Sequence, residues 1–501
     1  MQTFFVCRNN NKESMQNLQY SFKTKPFSHQ LAAMGAMLNH FIRGNKEFAL
    51  LMEMGCGKTK VLIDSSAYLY DNGYINGLLV VCPNGVKGTW INELKTHCPD
   101  HVEKNVVLWT GKKTKKHEEE LQSLFIIEPA KVHLNILIMN IDAFATARGK
   151  DFARRFLMTR QALMTIDEST TIKNVSAQRT KAVTKLGLAA RFRVIMTGSP
   201  ITKSPEDLFS QCFFLDPDLL GFSSIYTFKN RYCVMVRRSY GGRSFNEVVE
   251  YKNLEELHYK LKYFSYRVLK KDALDLPDQM WMKRFVPLTT EQLDAYVQMK
   301  KTALVEIQKG SLTTTSVLAQ LIRLHQIVCG HMATDDGRVV SLSNNRVKEL
   351  LAILEEHGGK AIIWATYRHD IEEICDALER KYGPRSTVDF YGDTSEKDRQ
   401  KSIELFQNDE KVKYFVGNPT TGGRGLTLTK ASLAVFYSNN YDLEIREQAE
   451  ARNHRIGTDN KVTYIDLVAR GTVDEKIILS LRNKINLATK VLAEDLRKWL
   501  I

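Results

Sequence analysis

Phe48-Ala-Leu-Leu-Met-Glu-Met-Gly-Cys-Gly-Lys-Thr59 is an apolar run followed by two spaced glycines, a lysine and a threonine. The order predicts a short strand, a glycine turn and the opening of a helix. Gly55 and Gly57 let the backbone curl so that successive N–H groups face one anion, and the following helix adds its positive end. Together with Met54 and Cys56 they form a candidate phosphate cradle. Lys58 is then placed on the β- and γ-phosphates and the Thr59 hydroxyl on Mg²⁺. The match to the phosphate-loop pattern is incomplete, because Met52 stands where its first glycine would be.

Upstream, Lys25-Pro-Phe-Ser-His-Gln-Leu31 reads as a helix start that leads into apolar residues at helical spacing. Phe27 is a candidate to stack on a base and Gln30 to bond an adenine edge. Downstream, apolar runs at Gly77–Pro83, Val132–Met139, Gln161–Ile166 and Phe192–Met196 alternate with helical stretches. That alternation predicts a doubly wound parallel sheet with ligands at the carboxyl ends of its strands. Asp167 and Glu168 stand at such an end, about a hundred residues after Lys58, as a Mg²⁺-coordinating carboxylate and a carboxylate that polarises water would.

From Pro205 to about Gln279 the pattern reads as helical and aromatic, and Leu288–Cys329 as helical with a break near Gly310–Thr315. Ala333–Asn345 reads as a polar loop. A second alternating series has strands at Lys360–Trp364, Thr387–Tyr391, Val412–Val416, Leu433–Tyr437 and Val462–Leu467. Near its end comes Gln448-Ala-Glu-Ala-Arg-Asn-His-Arg-Ile-Gly457. On a helix Gln448, Arg452 and Arg455 would share one face, and two arginines held together suit a polyphosphate.

The 501 residues call for more than one core. A composition of 43% hydrophobic and 26% charged residues is that of a soluble globular protein. The formal charge of +14 and pI of about 9.2 favour a polyanionic partner, most simply nucleic acid. The eight cysteines form no C-x-x-C pair, which argues against a zinc site or a disulfide framework and fits a reducing compartment. Neither a signal peptide nor a membrane span is found, so the expected location is the cytoplasm.

These pieces, in this order, resemble superfamily 2 helicases and, more narrowly, the Swi/Snf-like family of DNA-dependent ATPases. The resemblance rests on Met52–Thr59, Leu79–Pro83 with Trp90, Ile166-Asp-Glu-Ser-Thr170 with Ile172-Lys-Asn174, and Thr197–Ile201. In the second half it rests on Tyr391–Thr394 with Arg399 and Phe406, Gly422–Leu426, Arg452–Gly457 and Thr472–Lys476. It implies two RecA-like lobes with ATP and Mg²⁺ in the cleft between them. The divisions expected are an N-terminal segment 1–25, a first lobe 26–204, a helical protrusion with brace 205–285, a second helical protrusion 286–345, and a second lobe with C-terminal helices 346–501.

The resemblance further implies that Lys58 and Thr59 hold phosphate and metal, Asp167 the metal and Glu168 the hydrolytic water. Arg452 and Arg455 become arginine fingers and Gly425 a nucleotide contact. Double-stranded or branched DNA would meet Lys87, Trp90, Asn140, Thr366 and Thr420, Thr421, Gly422 and Gly423. Phe264–Arg267 with Lys270, Lys271 and Leu276-Pro277 correspond to a brace between lobes. Two departures stand out: Ser169 or Thr170 replaces the histidine usual in the acidic motif, and Asn439-Asn-Tyr441 replaces a common tryptophan. The expected activity is ATP-driven translocation on duplex DNA by a monomer, in a compact bacterial or viral member. A strand-separating helicase, a DNA-binding ATP switch and an RNA-directed motor are the alternatives.

Overall fold

The computed structural model describes residues 20–111, 113–126, 133–240, 243–308, 314–333, 338–392, 396–422, 426–455, 457–458 and 460–492. The chain divides into two compact units, one formed mainly by residues up to Arg238 with Phe245–Leu274, the other mainly by Asp275–Asn486. Each is an α/β unit built on an all-parallel sheet.

In the first unit the strands are Glu47–Met52 (β1), Gly77–Cys82 (β2), Lys104–Leu108 (β3), Leu134–Asn140 (β4), Ala162–Asp167 (β5) and Phe192–Thr197 (β6). Cys233–Tyr240 (β7) and Arg243–Tyr251 (β8) pair separately, and Ser265–Val268 (β9) then joins the main sheet. Its order is β3-β4-β2-β5-β6-β1-β9. Successive side chains of a strand point to opposite faces, so one apolar run feeds two cores. Ala49 and Leu51 of β1 join Leu79 and Val81 on one face. Phe48, Leu50 and Met52 join Leu78 and Val80 on the other. Among the helices, Ser28–Ile42 (α1), Lys58–Asp71 (α2) and Lys87–His97 (α3) bear on the site.

The second unit contains Gln279–Phe285 (β10), the pair His331–Ala333 (β11) and Val339–Ser341 (β12), then Ala361–Trp364 (β13), Thr387–Phe390 (β14), Tyr414–Gly417 (β15), Leu433–Phe436 (β16) and Val462–Val468 (β17). Its main sheet runs β10-β17-β16-β13-β15-β14. Ala361 and Ile363 face one core, Ile362 and Trp364 the other.

Three expectations are corrected. The stretch 205–279, read as helical and aromatic, contains β7, β8 and β9; Cys233-Val-Met-Val and Val248-Val-Glu-Tyr carry the β-branched and aromatic residues that favour strands. The polar segment 333–345, read as a loop, includes β12, which pairs antiparallel with β11. The helix read through Arg455 stops at Glu450, so Arg452 and Arg455 lie in the turns that follow it. The two long helices between β10 and β11, Thr290–Gln308 and Thr314–Cys329, agree with the helical pattern there.

Candidate active site

The turn between β1 and α2 is built as its glycines require. Gly55 and Gly57 have φ of +88° and +83°, a region open to glycine and strained for other residues. At Gly57 the need is doubled, since a Cβ there would stand 2.2 Å from Gln30 Nε2. The first turn of α2 carries no acidic side chain, so its positive end is uncompensated. Lys58 is buried, with Nζ donating to the carbonyl of Met52 at 3.0 Å, while Thr59 is half-buried.

The start of α1 is fastened to this turn. Gln30 Nε2 donates to the carbonyl of Cys56 at 3.3 Å, and its Oε1 accepts from the N–H of Phe27 at 3.0 Å. His29 Nε2 also donates to the Cys56 carbonyl, at 2.9 Å, which fixes its tautomer. Phe27 is 48% exposed and stacks on His29, so its outer face is open to a planar ring. Gln30, by contrast, is buried and braces the cradle. Burial and Glu53 push the Cys56 thiol up to about 11, so it stays protonated and contributes backbone only.

Asp167 ends β5 and Glu168 follows in the left-handed region, at φ +50°, a conformation costly for a residue with a Cβ. Trp90 Nε1 donates to Asp167 Oδ2 at 2.8 Å, and the Glu168 N–H donates to Oδ1 at 3.1 Å. Burial pushes the Asp167 carboxyl above its ordinary value, with the Trp90 bond and the charge of Lys58 pulling the other way. A buried carboxylate of this kind is a natural seat for a cation. The glycine cradle, Lys58, Thr59 and Asp167 therefore fit a Mg²⁺-bound polyphosphate.

Trp90 is a correction. Proposed as a DNA contact, it is 1% exposed, and its indole is spent on Asp167. The other two candidates of that group lie on different elements. Asn140 pairs with Cys82 at the carboxyl ends of β4 and β2, and Lys87 opens α3 with Nζ 3.4 Å from the Trp109 carbonyl.

Ser169 is fully buried, and its hydroxyl donates to Gln211 Oε1 at 2.6 Å. Gln211 Nε2 in turn donates to the carbonyls of Pro200, at 2.8 Å, and Asp207, at 2.7 Å. The acidic motif is thus tied to the Thr197–Ile201 segment by a polar relay that a histidine is not needed to make. Arg267 on β9 does similar work: its guanidinium donates to the carbonyls of Gly198 at 2.8 Å and Leu51 at 3.2 Å. It thereby clamps the carboxyl ends of β6 and β1. Gly198 itself sits against the phosphate turn, where a Cβ would come 3.2 Å from the N of Met54.

In the second unit Arg452 and Arg455 converge on one backbone oxygen despite lying beyond the helix. Arg452 Nη1 donates to the Leu426 carbonyl at 3.0 Å and its Nε to that of Gln448 at 2.7 Å. Arg455 Nη1 reaches the same Leu426 carbonyl at 3.5 Å and Thr427 Oγ1 at 3.2 Å. Asn439 fills the place of the expected tryptophan by joining a buried network. It donates to Asp466 at 2.8 Å and accepts from Arg446 at 2.7 Å, and Arg446 also pairs with Asp466 and Glu450.

Asn418, which the sequence did not single out, brings the remaining candidates together. Its side chain donates to the Thr366 carbonyl at 2.7 Å and accepts from the Thr420 N–H at 2.8 Å, and its carbonyl accepts from the N–H groups of Thr421 and Gly422. Those amides are thus taken within the turn, and a Cβ on Gly422 would meet Trp364 at 2.8 Å. The Thr420 side chain is exposed. Gly423 and Gly425 lie outside the described residues.

The SNF2-related domain matches residues 29–333, and the helicase conserved C-terminal domain matches residues 343–457. The chain is 27% identical over 464 residues to YwqA of Bacillus subtilis, whose name is that of an ATP-dependent helicase/translocase, covering 88% of this chain and 46% of that protein. It is 28% identical over 464 residues to a Xenopus tropicalis SWI/SNF-related, matrix-associated, actin-dependent regulator of chromatin (subfamily A-like protein 1), covering 90% and 44%. The chain thus spans under half the length of these curated relatives. A solved SWI2/SNF2 ATPase core from Sulfolobus solfataricus, in complex with dsDNA, aligns over 95% of this chain and 94% of its own at 25% identity and a TM-score of 0.42. With the SNF2-related domain matching more than half of this chain and the helicase C-terminal domain matching after it, the chain belongs to the SNF2-related, Swi/Snf-like family of helicase-like ATPases.

Proposed function

We propose that the protein is a DNA-dependent ATPase that moves along double-stranded DNA. The observation that carries the ATPase reading is the hold on Asp167: a buried carboxylate at the end of β5, oriented by Trp90 and acted on by the charge of Lys58 from the glycine cradle. Lys58 and Thr59 would bind phosphate and metal, Asp167 the metal, and Glu168 would polarise water. Bound Mg²⁺ would supply neutralisation of phosphate charge. Arg452 and Arg455 would stabilise charge in the transition state, and losing such a group typically costs a thousandfold or more. The DNA reading is supported by the net charge of +14 and by the family.

The test is steady-state ATP hydrolysis by the protein alone and with single-stranded DNA, blunt duplex, forked duplex or duplex RNA, beside Glu168→Gln. Strong stimulation by plain duplex, abolished by Glu168→Gln, is expected; displacement of a third strand from a triplex then reports movement. Stimulation by no DNA overturns the motor in favour of an ATP switch or, where RNA stimulates, an RNA-directed enzyme.

A further inference from the structure

Away from the nucleotide residues, the second unit gathers His331 of β11 with His369 and Asp370 at the start of the helix Arg368–Tyr382. One ligand-capable atom from each lies within 4.8 Å of the others. Asp370 is completely buried and His331 is 2% exposed. Nδ1 of His331 is 2.9 Å from Asp370 Oδ1, and Nδ1 of His369 is 4.0 Å from the same oxygen. Neither of these nitrogens makes a well-aligned hydrogen bond among the described residues, nor does either oxygen of Asp370, which burial pushes above its ordinary value against the pull of His331 and the charge of Arg346. The close approach of His331 therefore lies off the line that a ring N–H would need.

A fully buried carboxylate without hydrogen bonds is avoided in proteins unless a cation answers it. Here two imidazoles turn the same nitrogen toward it. Ser341 Oγ on β12 sits 3.0 Å from Nε2 of His369, which orients that ring and leaves Nδ1 for the cluster, as outer partners of metal-bound histidines do. Around a zinc ion with bonds of about 2.0–2.2 Å, tetrahedral ligand atoms stand about 3.3–3.6 Å apart. The two separations of 2.9 and 4.0 Å bracket that spacing.

We propose that His331, His369 and Asp370 bind a zinc ion that clips the β11–β12 pair to the helix Arg368–Tyr382. Two imidazole nitrogens and one carboxylate oxygen suit a borderline divalent ion and leave a fourth position for water.

The full chain, stripped with chelator and dialysed without nucleotide, is titrated with Zn²⁺ against a chromophoric zinc indicator, and separately with Co²⁺ to read the visible bands of a tetrahedral ion. The expected result is one zinc per chain, cobalt bands, and a melting temperature raised by zinc. His369→Gln removes a half-exposed ligand while leaving the His331–Asp370 contact, and should weaken zinc at least tenfold. Asp167→Asn should bind zinc as the wild type does. No uptake by the folded wild type, equal affinity in His369→Gln, or loss of zinc in Asp167→Asn would each overturn the proposal. The first outcome would make the cluster a buried histidine–carboxylate pair.

Discussion

Trp90 Nε1 is the side-chain donor on Asp167 Oδ2. A buried hydrogen bond to a charged group is worth about 1.5–3 kcal/mol, or roughly ten- to a hundredfold in an equilibrium. Trp90→Phe keeps the ring's bulk and removes that donor. It should lower ATP turnover about tenfold or more and raise the Mg²⁺ concentration needed for half-maximal rate. A loss confined to DNA affinity would instead restore Trp90 as a DNA contact. Ser169→Ala leaves Gln211 Oε1 buried without its donor and should cost about 1–3 kcal/mol in urea unfolding. Because the two side chains bond each other, Ser169→Ala with Gln211→Leu should cost less than the sum of the single changes. Strict additivity would show that the 2.6 Å contact carries no energy of its own.

At the scale of elements, the phosphate turn offers an internal comparison. Gly44 and Gly57 both have positive φ, but a Cβ on Gly44 meets nothing within 4 Å, whereas one on Gly57 strikes Gln30. Alanine at either position should cost about 1–2 kcal/mol in backbone strain. Only Gly57→Ala should also abolish nucleotide binding, measured by fluorescence of a labelled ATP analogue; intact binding there would mean that Gln30 yields. The elements that sequence made legible are those buried on both faces, such as β2, β5 and β13, where apolar runs are continuous. Edge strands hide, because one side meets water: β3 begins Lys104-Asn105 and β9 reads Ser265-Tyr-Arg-Val268. The site was legible in its glycines and carboxylates, whose chemistry is local. Trp90, Gln211 and Asn418 act through partners tens of residues away, which no local pattern encodes. Arg452 and Arg455 were placed together for the wrong reason, since a turn rather than a helix face directs both to Leu426.

For the whole molecule, a charge of +14 predicts that affinity for duplex falls linearly in the logarithm of salt concentration and that two duplexes of unrelated sequence bind alike. Filter binding across a salt series checks both, and a strong sequence preference would contradict backbone-dominated binding. The sheet of the first unit carries a different consequence. The strand that leads into the phosphate turn, β1, is flanked on one side by β9, which lies more than two hundred residues later in the chain. The join includes the Glu53 N–H on the Val268 carbonyl at 2.9 Å and the Lys270 N–H on Glu53 at 2.7 Å. A ribosome making this protein therefore exposes the unpaired backbone edge of the apolar strand β1 until synthesis has passed Val268. A fragment ending at residue 204 should aggregate where one ending at 274 stays in solution.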